Sequence, residues 1–194
     1  MNDEIFSSKK STEKAGLDPE NKLLSHQNRR RLDFESLRDT LLALAGRLDP
    51  TMGGPPIDIV SAPFASRRSV YGFIDRQNVP GLFRVFDVAS SDASCPRRYV
   101  TTVPQQALFL LNSPFVLEMA KALASRPEVR ASDDPRQRVT ALHRLVFARA
   151  PKDSEVELAL KYIAQQPEAK DGKPDAWARY AQVLFFTSEF AFLE

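Results

Sequence analysis

Residues 102–125 read TVPQQALFLLNSPFVLEMAKALAS, and the spacing of their apolar positions decides the fold class. Thr102, then Pro104 two residues on, then Ala107, Leu108, Leu110 and Leu111 describe a buried helix with Thr102 as its expected cap. Asn112-Ser113-Pro114 interrupts that helix, because proline brings no backbone N–H and its ring crowds the carbonyl four residues back. A second helix restarts there and runs to about Ser125, with Asn112 as its expected cap; a kink in place of a full break is equally open.

The same period extends outward in both directions. Phe34, Leu37, Leu41, Leu44 and Leu48 alternate spacings of three and four, which gathers them on one helical face, and Gly46 is suited to the left-handed closing turn. Asp18-Pro19-Glu20 opens a shorter helix to about Asn28. Downstream, Asp133-Asp134-Pro135 caps a helix bearing Val139, Leu142, Leu145 and Val146, and Asp153 or Ser154 starts another bearing Val156, Leu160 and Ile163. Lys170 to Pro174 reads as a turn. Trp177, Tyr180, Ala181, Leu184 and Ser188 then share one face of a terminal helix.

The middle is less regular. Asp49 to Ser66 is a connection marked by Gly and Pro, in which Ile57, Ile59 and Val60 lie along a surface groove or in a short strand. Val70, Tyr71, Phe73 and Ile74 suit a helix turn or a short buried strand, with the turn favoured, and Leu82, Val85 and Phe86 form one more apolar piece. Residues 1–17 carry little apolar content and read as a flexible arm. The expectation is an all-α protein: a single domain over 18–194 with six to eight helices around one core and a loop-rich middle segment.

Composition excludes several functions. A net charge of +2 gives no general attraction for polyanions. The only cysteine, Cys95, rules out an internal disulfide and any C-x-x-C site, and one Cys with two separated His leaves a zinc ligand set short. No stretch approaches the roughly 20 apolar residues of a membrane-spanning helix, and the polar N-terminus lacks the apolar core of a secretory signal. No metal or cofactor is expected, and compartment stays open.

Arg29-Arg30-Arg31 is expected to pair with Asp33, Glu35 and Asp39 rather than with nucleic acid. Arg67-Arg68 and Arg97-Arg98 have Asp75, Asp87 and Asp92 near in sequence; a two-point guanidinium–Asp87 clamp is favoured over an anion-binding pocket. Cys95 reads as a buried structural thiol, since neither His26 nor His143 is near it in sequence. Gln105 and Gln106 serve the helix start or a neighbouring loop. The candidate polar cluster is Asp87, Cys95, Arg97, Arg98, Thr101 and Gln106.

Taken together, Asn28-Arg29-Arg30-Arg31-Leu32-Asp33, Met52-Gly53-Gly54-Pro55, Arg67-Arg68-Ser69-Val70-Tyr71, Phe86-Asp87, Arg97-Arg98, Gln106-Ala107-Leu108, Leu111-Asn112, Pro114 and Glu189-Phe190 carry a resemblance. The chain resembles the C-terminal part of the planctomycete PSD domain, domain of unknown function fifteen-fifty-three. The resemblance implies a piece of a larger exported protein with a cytochrome-c-like module, and it carries over no catalytic residues. Haem is not expected here, because the chain has no C-x-x-C-H.

Two functions remain open at this stage. One is a non-catalytic helical module whose partners are other domains of the same parent protein or a partner protein. The other is part of an enzyme, with Asp87 as acid or base and Arg97 and Arg98 holding an anion, completed by a missing N-terminal half.

Overall fold

In the computed structural model, which describes residues 21–23, 29–90, 94–167 and 174–193, the chain is mostly helical. The expected arm over 1–17, six of the nine residues of the helix expected over 20–28 and most of the turn at 170–174 lie outside the described residues, as do His26 and Asp92; residues 22–23 form a turn, preceded by Asn21 at φ +50°. Nine α-helices and one two-stranded sheet are present among the described residues. Short helical pieces raise the count above the six to eight expected.

Helix α1, Phe34–Leu44, starts where Asp33 Oδ1 accepts from Ser36 N at 2.7 Å. It buries Phe34, Leu37, Leu41 and Leu42. Gly46, at φ +69°, ends it: Gly46 N donates to Ala43 O and Arg47 N to Leu42 O, the paired closing bonds of a glycine-terminated helix. Beyond lies the irregular 49–72 region. It is pinned by parallel bridges Asp49–Arg67 and Ile57–Gly72, then by a short 3-10 turn, Ser69–Tyr71. The turn matches the expectation, but its apolar residues do not lie inside, since Val70 within it and Phe73 and Ile74 after it are exposed.

Helix α2 is Gly81–Val85. Helices α3, Pro104–Asn112, and α4, Pro114–Ala124, meet at a bend of 54°. Proline at 114 leaves the Leu110 carbonyl without its usual donor, and Gln182 Nε2 takes its place, donating to Leu110 O at 3.0 Å and Leu111 O at 2.7 Å. The caps differ from those expected. Val103, not Thr102, precedes α3, and its N–H is met by the Gln106 side chain; Ser113, not Asn112, precedes α4, and Asn112 closes α3. Leu108 and Leu111 are exposed at 53% and 46%, so α3 buries Gln106 and Leu110 and turns its other side to solvent.

Then come α5, Pro127–Arg130, α6, Pro135–Phe147, and α7, Asp153–Ala164. The terminal helix breaks in two. Helix α8, Ala176–Phe186, is capped by Asp175, and Thr187 caps α9, Ser188–Ala191, through Phe190 N. Strand β1, Arg30–Arg31, pairs antiparallel with β2, Phe192–Leu193.

Helix α4 is the centre of the core. Its Val116, Met119, Ala120 and Leu123 are fully enclosed, and its main neighbour is α8, which brings Ala181, Leu184 and Phe185. Small residues at Ala120 and Ala181 suit close approach of two backbones. Among the described residues no single helix is long and apolar enough to cross a membrane.

Candidate functional site

Asp87 follows α2 in the left-handed region, at φ +56°, a conformation uncommon for any residue but glycine. That backbone turn aims its carboxylate at the 98–103 segment. The carboxylate accepts from Thr101 N at 2.8 Å and from Thr101 Oγ1 at 2.9 Å, and Arg31 Nη2 stands 3.5 Å away. Arg31 Nε donates to Thr101 O at 3.1 Å, and the guanidinium lies over the Phe86 ring at 5.2 Å. Burial lowers the Arg31 pKa from its ordinary value, and the Asp87 charge opposes the shift.

Gln106 completes the arrangement from α3. Its Nε2 donates to Val85 O at 2.8 Å and Thr101 O at 3.2 Å, while its Oε1 accepts from Val103 N at 3.3 Å. One carboxamide therefore ties the end of α2, the extended segment and the helix start together. Both uses considered for this glutamine occur at once.

The remaining candidates lie elsewhere. Arg98 Nη1 donates to both oxygens of Glu35 at 2.9 Å, on the first turn of α1. Cys95 is exposed, not buried as expected, because the whole 94–100 segment lies at the surface; its Sγ is 3.3 Å from Arg97 O, and Arg97 is exposed as well. The guanidinium beside Asp87 is that of Arg31, not Arg97 or Arg98, and it makes a single contact, Nη2 to Oδ2 at 3.5 Å, in place of the expected two-point clamp. Of the partners expected for the Arg29–Arg31 run, Asp33 caps α1 and lies within electrostatic reach of Arg30 and Arg31, whereas Glu35 takes Arg98 and Asp39 takes Arg68 at 3.5 Å. Arg67 instead donates to the carbonyls of Gly53 and Pro55 with its guanidinium 4.2 Å from the Tyr71 ring centre.

Two cavities flank α3. The smaller, about 260 Å³, is walled by Arg31 and Gln106 with Leu37, Leu110, Phe186 and Phe192. The larger, about 580 Å³, is apolar, walled chiefly by Phe34, Phe64, Phe109, Phe115, Ile59 and Val60. Of the three residues expected along a groove or in a short strand, Ile59 and Val60 line this cavity, whereas Ile57 forms the bridge to Gly72.

A second polar centre went unread in the sequence. Buried His143 of α6 has Nε2 2.8 Å from Tyr180 OH on α8, and its Nδ1 is buried without a hydrogen-bond partner among the described residues. Burial lowers the His143 pKa and raises that of Tyr180 to about 12. Nearby, Arg149 is forked between two carboxylates, donating to both oxygens of Glu155 at 2.7 and 2.8 Å and to both of Glu189 at 2.6 and 2.7 Å. Those bonds hold Glu155 down at about 2. The available signal was Lys152-Asp153-Ser154-Glu155, where Glu155 at the third helical position accepts from Lys152 N at 2.7 Å.

Among the described residues, no group of three or more His, Cys, Asp or Glu side chains could hold a metal ion. Compared with known families, residues 6–163 match PSD1, protein of unknown function (DUF1553), over well more than half of the chain. The chain belongs to the PSD1 family. No curated protein and no solved structure matches it. Asp87, Thr101, Gln106 and Arg31 all fall inside the PSD1 span, whereas α8, α9 and β2 follow it. The His143–Tyr180 and Arg149–Glu189 contacts thus join the PSD1 span to the segment after it.

Proposed function

We propose that this PSD1 chain is a non-catalytic helical interaction module that packs on a neighbouring domain of a longer parent protein. The observation that carries the reading is the contrast across α3. Asp87, Thr101 and Gln106 are turned to partners within the chain, while Leu108 and Leu111 on the same helix stand in solvent between two cavities. A carboxylate already accepting from an amide and a hydroxyl, beside its own arginine, is a poor general base. Exposed leucines between hollows are what a protein partner covers. By resemblance, the parent is of the planctomycete, exported, cytochrome-associated kind.

The test expresses the domains encoded beside this chain in its own gene and titrates them against the full chain by calorimetry. Binding that Leu108→Glu with Leu111→Glu weakens at least tenfold supports the reading. Binding unchanged by that pair, or turnover of a substrate by the chain that Asp87→Asn abolishes without unfolding it, overturns it.

A further inference from the structure

We propose that His143 is an acid-sensitive latch whose protonation frees α6 from α8. The imidazole is 3% exposed and sits where α6, α7, α8 and α9 converge. Among the described residues it makes one polar contact, to Tyr180 OH, and it packs edge-on against Phe147 at 5.3 Å. In the tautomer whose Nε2–H donates to Tyr180 OH, the neutral ring has no proton at Nδ1 and tolerates the site. The protonated ring carries N–H at both nitrogens, and the Nδ1–H would be sealed in with no acceptor.

The charged and titratable groups facing the ring come from every neighbouring element. Tyr180 on α8 contacts it directly, and Tyr162 on α7 packs on Tyr180 at 6.3 Å. Glu155 on α7 and Glu189 on α9 favour a cation at His143, and Arg149 after α6 opposes one. The Arg149 fork occupies both carboxylates, so neither is free to receive the Nδ1 proton. Burial outweighs these charges and lowers the His143 pKa below 6.5. Tyr180, raised to about 12, and Glu155, held at about 2, keep their charge states while the imidazole titrates.

The sign follows from linkage. The closed form binds fewer protons than the open one, so the latch is at full strength above pH 6.5 and weakens as pH falls below it. Between the open and closed pKa values the opening equilibrium rises about tenfold per pH unit. The elements that loosen include α8, which follows the PSD1 span.

The experiment is hydrogen exchange on the full chain from pH 7.5 to 4.5, corrected for intrinsic exchange, with the imidazole resonances followed by NMR in the same buffers. There are two histidines, and His143→Gln identifies the second. The expected result is protection of α6 and α8 amides falling about tenfold per unit below pH 6.5 with His143 proton uptake, and flat in His143→Gln. Should that variant not fold, the native chain decides: exchange and His143 titration must move together. Unchanged protection, or loosening uncoupled from His143, overturns the latch.

Discussion

Arg38 shows how much one side chain does here. It is 2% exposed, and its guanidinium donates to Ile59 O at 3.3 Å, Arg67 O at 3.0 Å, Ala65 O at 2.5 Å and Ser69 Oγ at 3.3 Å. The 59–69 loop has few regular backbone bonds of its own, so these carbonyls face α1 and are met by one planar cation, stacked 5.3 Å from the Phe115 ring centre. Arg38→Ala strands the carbonyls and opens a void, and should cost about 3 kcal/mol of unfolding free energy in urea. A cost near zero would mean that the loop holds itself. Nothing local in sequence marks Arg38 for this work, since it reads as an ordinary polar position of an amphipathic helix. Arg31 is opaque in the sequence for the same reason. Its neighbours in sequence are Asp33 and Glu35, yet its partners, Asp87 and Thr101, come from distant segments.

At the scale of elements, what was legible was local. The faces of α1, α6 and α8 followed from apolar spacing, and Gly46 and Asp134 marked a stop and a start by their own chemistry. The pairing of β1 with β2 was hidden, because two residues near each end of the chain make it and neither has a period to read. The break of the last helix at Thr187 was hidden too, a threonine being an acceptable interior residue until its hydroxyl serves as a cap. Helix α6 ends on Ala148 at φ +56°, where a Cβ is unfavourable and glycine is at ease. Ala148→Gly should therefore stabilise the protein by about 1 kcal/mol, raising Tm by about 2–4 °C. An unchanged or lowered Tm would show that the turn is not strained.

For the whole molecule, acid sensitivity is the property the buried and paired charges dictate. Glu155 is held at about 2 by the Arg149 fork, well below its ordinary 4.5. Its contribution is present above pH 4.5 and is lost as pH falls toward 2, in part only, because a third of the side chain faces solvent. Glu155→Gln should flatten the fall in Tm between pH 4.5 and 2; an unaltered slope would place that fall on other groups. The polar cluster at Asp87 belongs to this scale as well, since it joins β1, the end of α2, the 98–103 segment and α3.

A double-mutant cycle of Arg31→Met and Asp87→Ala, read by urea unfolding, addresses the internal role of that cluster. Mutual pairing predicts that each change destabilises and that the two couple by about 1–2 kcal/mol. Effects that simply add, or an Asp87→Ala protein as stable as the native chain, would contradict it and leave that carboxylate available for other chemistry.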